Sequence, residues 1–462
     1  MKTLSELETH ISDKNKRPRS KVVPRIFSPL HARSFFIRKR DRMITKPKGT
    51  TDITGNESIL WEYVNSVVAT MMNNYNYEFI RTPIFEASEL YHRSVGETSD
   101  IVQKETYDFK DKGERNLTLR PEGTAGVVRS YLENKLYAEP DAKKYYYNGT
   151  MYRYERPQTG RMREFTQFGV EVLGSNDPIV DAEVISLQYK ILEALHINNL
   201  QVNINTLGDQ ESRNNYRDAL VKYLEPHLDC LCEDCRERFK TNPLRILDCK
   251  VDADSEILKN APKTIDYLNE ESKKRFETVL KYLDLLEIDY EVNPKIVRGL
   301  DYYDHTVFEI VSLDNCETKA SVLGGGGRYN KLIKELDGPE SYGIGWACGM
   351  DRIINLLKEI DLYKDVKKQV ECYVMYVSEE EKLHALEIVQ DLRLNGIVTE
   401  CDNLGKGLKG QFKQADRLNA KLLIILNSED LSMGLVNVKD NATKEEEKVD
   451  ISEVVDYVLG LL

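Results

Sequence analysis

Four arginines, Arg153, Arg156, Arg161 and Arg163, fall within the stretch MYRYERPQTGRMREFTQFGVEV (Met151 to Val172) of a chain whose formal net charge is -12. A guanidinium fork meets a phosphate or carboxylate with two parallel hydrogen bonds, so the cluster suits an anion. Pro157 and Gly160 supply a turn between the arginines, and an uncharged run separates Glu164 from Glu171. Three further stretches carry chemistry of the same kind. TLRPEGTAG sets Glu122 and Thr124 at a strand end followed by small residues, suited to a ligand ammonium. IVRGLDYYDHTVFE puts Arg298 in an apolar strand context with Tyr302 and Tyr303 on alternate faces. GMDRIINLL places Arg352 at the start of a helix after a glycine-rich strand. Each has a plainer reading: the arginine loop and Arg352 as solvated charge, Glu122 as a helix cap, Tyr303 as core. Four such coincidences in one chain argue for a site.

Two common phosphate-binding solutions are excluded. The sequence has no G-x-x-x-x-G-K-[ST], and GIGWACG (Gly343 to Gly349) lacks the strand, spacing and acidic partner of a dinucleotide fingerprint. A bound nucleotide would therefore be held by arginines.

The elements that must position these groups divide the 462 residues into several domains. Residues 1–45 form a basic extension: up to Lys46 there are 13 Lys+Arg against 4 Asp+Glu. It is expected to be a disordered arm, with RNA contact as the sharper alternative; Glu6, Glu8 and Asp13 count against a transit peptide. The remainder is acidic, so any nucleic-acid contact needs local basic patches. No apolar run approaches the ~18 residues of a membrane span. Eight cysteines without a secretory h-region point to a reducing cytoplasm.

Residues 46–362 read as an α+β domain. Ile59, Leu60, Tyr63, Val64, Val67, Val68 and Met71 recur at helical spacing. Strands are expected in YEFIRTPIFE, with Pro83 at an edge or bulge, and in NLTLRPEG, KKYYYNGTMYRYER and EFTQFGVEVLG, with a helix over Ala182 to Ala194. From about 205 to 292 the pattern turns helical and charged, as in an insertion. After a charged linker, residues 370–462 alternate strand and helix as a separate α/β domain.

YEFIRTPIFE, FTQFGVE with its arginine loop, and GIGWACGMDR together resemble the three signature motifs of class II aminoacyl-tRNA synthetases. IVRGLDYYDHTVFE and GGGGRYNKL resemble two stretches peculiar to the histidyl-tRNA synthetase family. The likeness runs from about Lys46 to the C-terminus. It implies an antiparallel class II sheet with helices, an anticodon-binding C-terminal domain, a cytoplasmic homodimer, and ligation of L-histidine to tRNA(His) through a histidyl-adenylate with ATP and Mg2+. By resemblance, Arg153 holds the α-phosphate, Glu155 lies near the adenine, Arg161 adds to the ATP site, and Arg352 binds the γ-phosphate. Arg298 faces the α-phosphate from the other side and, with Arg153, is the catalytic pair. Glu122, Thr124 and Gln167 take the ammonium, while Glu171, Tyr303 and Tyr329 read the imidazole, whose two ring nitrogens suit an acceptor and a hydroxyl. The loop tip from Pro157 to Arg163 meets the tRNA acceptor end. A catalytically inactive, histidine-sensing regulatory relative is the alternative; such relatives typically lose the nucleotide-site arginines and the terminal domain.

Asp351 stands where the family usually has Glu, Trp346 is bulky nearby, and four glycines at Gly324 to Gly327 are expected to loosen the strand leading to Tyr329. In NLGKGLKGQFKQADRLNAK, the cluster of Lys406, Lys409, Lys413, Arg417 and Lys421 is a solvated face or, with the resemblance, part of the anticodon surface. Cys230, Cys232, Cys235 and Cys249 come close to zinc spacing but lack a second C-x2-C, which leaves structural zinc and ordinary free thiols both open. Cys316, Cys348, Cys372 and Cys401 are scattered.

Overall fold

The computed structural model describes residues 43–96, 101–157, 161–247, 249, 251–296, 302–313, 322–360, 363 and 369–462. The chain separates into one unit over Met1–Lys46 and a second over Pro47–Leu462. The basic arm lies outside the described residues except for its last few positions, as do Arg298, Cys316 and most of the expected linker.

The first long helix, Asn56–Asn74, follows from its apolar period: Leu60, Val64, Val68 and Met72, spaced by four, are buried. Each such side chain contributes roughly 1.5–3 kcal/mol on leaving water. YEFIRTPIFE does not remain one strand. It divides at Pro83 into β1 (Glu78–Phe79) and β2 (Phe85–Ala87), which enter different sheets. Proline cannot donate to a ladder, so the chain changes sheets there. β2 forms a small antiparallel sheet with β3 (Tyr107–Lys110) and β4 (Asn116–Leu119).

β5 (Lys143–Tyr152) and β6 (Glu164–Leu173) form a ten-pair antiparallel hairpin. β7 (Leu200–Thr206), β8 (Tyr290–Val292), β9 (Asp304–Ser312), β10 (Val322–Arg328) and β11 (Gly343–Gly349) complete an eight-stranded sheet ordered β1-β5-β6-β11-β10-β9-β7-β8. The six central strands are antiparallel, and β1 and β8 add in parallel at the two edges. Helices Asn56–Asn74, Pro178–Ala194 and Met350–Glu359 supply apolar side chains to the core that one face of this sheet shares. β8 falls inside the segment read as an insertion. The helical material lies between β7, whose side chains are all buried or half-buried, and β8, which spans three residues, so neither gives the long alternation of a half-exposed strand.

The expected loosening at Gly324 to Gly327 is not observed. β10 is hydrogen-bonded on both sides, to β9 and to β11, and a Cβ at Gly326 would stand 1.9 Å from the Gly345 carbonyl oxygen. Glycine lets Trp346 and the neighbouring backbone approach closely.

In the C-terminal domain β12 (Cys372–Tyr376), β13 (Thr399–Cys401), β14 (Leu422–Leu426), β15 (Leu435–Asp440) and β16 (Glu446–Asp450) are ordered β13-β12-β14-β15-β16. β16 departs from the expected alternation: it follows β15 directly as an antiparallel hairpin, before the terminal helix Val454–Leu461. The helix Glu379–Leu394 starts at a capping box between Ser378 and Glu381.

Candidate active site

Strands β5, β6, β10 and β11 line a cavity of about 500 Å³ together with the helix start at Thr124 and the helix Met350–Glu359. Glu122, Thr124, Gln167, Tyr303 and Tyr329 line one part of it. Arg153, Glu155, Arg161 and Arg352 line the rest. Nine residues distant in sequence thus meet in one place. Arg163 is not in the lining, and Glu171 lies just behind it.

Glu122 does cap the following helix: its carboxylate accepts the Thr124 and Ala125 N–H groups at 2.6 and 2.9 Å. Burial raises its pKa, while those two hydrogen bonds and Arg153 oppose the rise. Structural and ligand-facing roles coexist in this side chain, which is buried yet part of the cavity wall. Gln167 Oε1 is buried without a hydrogen-bond partner, an acceptor suited to a ligand N–H.

Glu171 is buried on β6 beneath Gly345. Thr124 Oγ1 donates to Glu171 Oε1 at 2.6 Å, and Tyr329 Oη donates to Glu171 Oε2. Burial pushes the Glu171 carboxyl up to about 8; the two hydroxyls pull against this and Glu122 adds to it. A Cβ at position 345 would stand 1.9 Å from Glu171 Oε2, so Gly345 makes the space for this carboxyl. Tyr302 packs on Tyr303 with ring centroids at 4.7 Å and on Tyr329 at 5.8 Å, giving an aromatic wall.

At the other end, Arg153 lies just past β5 rather than within it, yet its N–H still bonds across to the Arg163 carbonyl at 2.9 Å. Arg153 Nε donates to the Pro121 carbonyl at 2.9 Å, and the guanidinium stands over the Phe165 ring at 5.3 Å. Arg161 pairs with Glu155 at 3.3 Å. Arg352 donates to the Val322 carbonyl at 2.9 Å. Burial, then the charge of Arg161, pulls the Arg352 pKa below its ordinary value. Three cations line one cleft, which favours a polyanion.

Arg163 is engaged elsewhere: its guanidinium stacks on Tyr154 at 3.9 Å and donates to the Glu155 carbonyl at 3.2 Å. It thereby fixes the base of the arginine loop, whose residues 158–160 lie outside those described. Asp351 spends its carboxylate on the Thr166 N–H at 3.0 Å, tying the helix Met350–Glu359 to β6. Trp346 faces the core, with its ring N–H donating to the Val184 carbonyl at 2.8 Å.

The sequence reading missed Glu309 and Tyr147, which also line the cavity. Both lie on strands already recognised, and period two alone could have marked Tyr147 as inward-facing. It also missed a buried network beside β10. Arg328 holds Asp181 through Nε at 2.8 Å and Nη2 at 2.6 Å, and Arg275 reaches the same carboxylate at 3.0 Å.

The cysteine set needs correction. Cys232, Cys235 and Cys249 cluster with Asp252, whereas Cys230 is exposed and stands outside the group. In C-L-C-E-D-C the C-x2-C pair is Cys232 and Cys235, which join at the start of a helix, and Cys230 precedes it on a 3-10 turn. In the C-terminal domain, Lys409 and Lys413 are exposed on the helix Leu408–Arg417, while Lys406 is half-buried and donates to Gln414.

The model of the family described as histidyl-tRNA synthetase matches residues 49–353. The chain belongs to the histidyl-tRNA synthetase family. An anticodon-binding-domain model matches residues 371–461. A histidine-tRNA ligase of Bacillus cytotoxicus is 47% identical over 413 residues, covering 89% of this chain and 98% of that protein. One of Bacillus subtilis is 48% identical over 410 residues, covering 88% and 97%. The crystal structure of apo S. aureus histidyl-tRNA synthetase superposes with a TM-score of 0.76 at 41% identity, covering 90% of this chain and all of that one. The α+β class and the separate anticodon-binding domain agree with this family membership.

Proposed function

We propose that the chain ligates L-histidine to tRNA(His), first forming a histidyl-adenylate from ATP and then passing the histidyl group to the terminal adenosine. The observation that carries this reading is one cavity with Thr124 and Tyr329 at one end, both hydrogen-bonded to Glu171 just behind the wall, and Arg153, Arg161 and Arg352 at the other. The family membership supports the same activity. An inactive histidine-sensing relative is not favoured, because the described nucleotide-site arginines and the terminal domain are both retained.

In this reading the histidine ammonium sits against Glu122, Thr124 and Gln167. The imidazole meets Glu171 and the hydroxyls of Tyr303 and Tyr329. The histidine carboxylate attacks the α-phosphorus in line as pyrophosphate leaves. Arg153, preset by the Pro121 carbonyl and the Phe165 face, neutralises the α-phosphate, and Arg298 is assigned the opposite side. Arg352 and Arg161 hold the pyrophosphate end, and Glu155 orients the adenine. Positioning and charge neutralisation suffice, and no side-chain nucleophile is needed. Mg2+ takes oxygen ligands and is commonly bound through one or two carboxylates plus substrate phosphates. A carboxylate of the cavity wall such as Glu309 would hold it, and the ion would neutralise phosphate charge.

Arg163, with the loop tip, is assigned to the tRNA acceptor end. Lys406, Lys409 and Lys413 are assigned to the anticodon arm, where exposed lysines supply phosphate contacts. We place the domain limits at 1–45, 46–362 and 370–462, with the insertion between β7 and β8. A homodimer is supported by exposed Phe79, Ile84, Phe85 and Phe109 on and beside β1 to β3, an apolar surface near the motif-one strand. The free thiols on seven described cysteines fit a reducing cytoplasm.

The test is exchange of labelled pyrophosphate into ATP with a panel of all amino acids, using wild type and Arg298→Ala. Exchange with histidine alone, lost in the variant, is expected. Exchange with another amino acid would overturn the pocket assignment. Folded protein that binds histidine but supports no exchange would favour the regulatory reading.

A further inference from the structure

The insertion carries a second polar constellation, remote in sequence from every group assigned to the reaction. Cys232 immediately precedes the helix Glu233–Thr241 and Cys235 lies in its first turn. Cys249 follows the 3-10 turn Pro243–Ile246, and Asp252 comes three residues later. One ligand atom from each of the four lies within 4.8 Å of the others. Cys232 Sγ stands 3.6 Å from Cys249 Sγ, and Cys249 Sγ stands 3.6 Å from Asp252 Oδ2.

These separations discriminate between chemistries. A disulfide requires sulfurs about 2.05 Å apart. Sulfur ligands at about 2.3 Å from a tetrahedral ion are separated by roughly 3.8 Å along the tetrahedron edge. The observed spacing is close to the second value. The donors are also held from behind: the Cys232 N–H donates to Asp252 Oδ2 at 3.1 Å, and the Asp252 N–H donates to Cys249 Sγ at 3.4 Å. Such outer hydrogen bonds fix the direction of first-layer ligands. Cys235 and Cys249 are buried, and Cys232 and Asp252 are half-buried.

We propose that Cys232, Cys235, Cys249 and Asp252 bind one structural Zn2+ that staples the insertion. Three thiolates and one carboxylate complete four-coordination, the arrangement of a closed structural site. Thiolate donors disfavour Mg2+ and Ca2+, and the carboxylate oxygen suits borderline Zn2+ better than Cu(I). The insertion gains from such a cross-link. Its own core consists of a small set of buried side chains, among them Leu220, Leu224, Leu231 and Ile246; Cys235 and Cys249 belong to it and Cys232 packs against it, so a shared ion would join the helix to the turn that follows it. Small cores commonly depend on a metal or a disulfide. The exposed Cys230 takes no part.

The proposal is tested on the full chain by metal analysis after purification with zinc in the medium. Wild type and Cys230→Ser are expected to carry about one zinc per chain, and Cys249→Ser to carry none. Because Cys249→Ser can fail to fold, wild type is also stripped with a chelator and titrated with Co2+. A thiolate-to-cobalt charge-transfer band that saturates at one equivalent, with recovery of a melting temperature lowered by stripping, supports the site. Any of three results overturns it: folded metal-free wild type that gives no such band, a protein lighter by two hydrogens through a Cys232–Cys249 disulfide, or zinc lost in Cys230→Ser but kept in Cys249→Ser.

Discussion

Thr124 Oγ1 lies 2.6 Å from Glu171 Oε1, so a residue assigned to the histidine ammonium and one assigned to its imidazole share a hydrogen bond. The two ends of the amino-acid pocket are mechanically and electrically joined. With Glu171 pushed up to about 8 by burial, the empty pocket holds a proton on this carboxyl near neutral pH. Free imidazole titrates near ~6.5. Between those values the two separated partners carry one proton in total, the number their hydrogen-bonded pair needs. At lower pH one proton must leave on binding, and at higher pH one must be supplied. Plotted against pH, 1/KM for histidine in pyrophosphate exchange is expected to be bell-shaped, with limbs near ~6.5 and ~8. Glu171→Gln should remove the alkaline limb and raise KM by ~10²-fold or more. A flat profile in the wild type would sink the assignment.

The same carboxyl makes a stability prediction of defined sign. Its folded pKa lies above its unfolded value, so the folded state binds the additional proton. The contribution is fully present below the unfolded pKa and is lost as pH rises through about 8. Glu171→Gln, which cannot ionise, should therefore melt at a higher temperature relative to wild type at pH 9 than at pH 5, by an amount equivalent to a few kcal/mol. Melting curves of both proteins across that range, without histidine, measure it.

Arg153 is preset by two contacts that use its shape, the Pro121 carbonyl on Nε and the Phe165 face beneath the guanidinium. Lysine offers charge but neither a fork nor a planar face. Arg153→Lys is expected to lower kcat for adenylate formation by ~10²-fold while changing KM for histidine little, the mark of a group aimed at developing charge. An equal rise in KM for histidine would instead indicate a disturbed pocket.

Much of this site was legible because its chemistry sits on strong patterns. The β5 and β6 segments read as two long strands joined by a turn, and Gln167 and Glu171 take their places from that hairpin register, with Arg153 one residue beyond its last pair. Glu122 and Thr124 come from a strand end opening into a helix, again a local signal. What sequence could not show is closure over long separations: Asp181 meeting Arg328 and Arg275, or Asp252 replacing Cys230 beside three thiols. Nor did it show that four consecutive glycines tighten a strand, because the requirement comes from Trp346 and the backbone of β11 on the neighbouring strand. The anchoring contacts of Arg163 were not legible for a related reason. Its stacking partner Tyr154 is close in sequence, but the turn that brings them together is not encoded by a periodic pattern.

Lys409 and Lys413 project from one exposed helix of the C-terminal domain, at positions that no described salt bridge engages. If they contact the tRNA backbone, Lys409→Ala with Lys413→Ala should raise KM for tRNA and reduce the salt slope by ~1 to 2, with pyrophosphate exchange unchanged. Aminoacylation measured at several salt concentrations separates this from a structural effect, which would lower both reactions together.

Asp181 is the most consequential residue outside the cavity. It is fully buried and serves two guanidiniums, that of Arg328, itself fully buried, and that of Arg275. Arg328 also donates to the Ser175 carbonyl at 2.9 Å and the Asp177 carbonyl at 3.1 Å, tying the end of β10 to the turn after β6. Tyr329, the hydroxyl donor to Glu171, is the next residue. Asp181→Ala would leave the fully buried Arg328 and the half-buried Arg275 without their shared anion, a defect that typically costs about 3–5 kcal/mol. The melting temperature should fall by roughly 5 °C. In the fraction that remains folded, displacement of Tyr329 should raise KM for histidine while leaving KM for ATP within about twofold. Equal loss at both substrates would show instead that the network supports the sheet as a whole and does not position the imidazole end of the pocket.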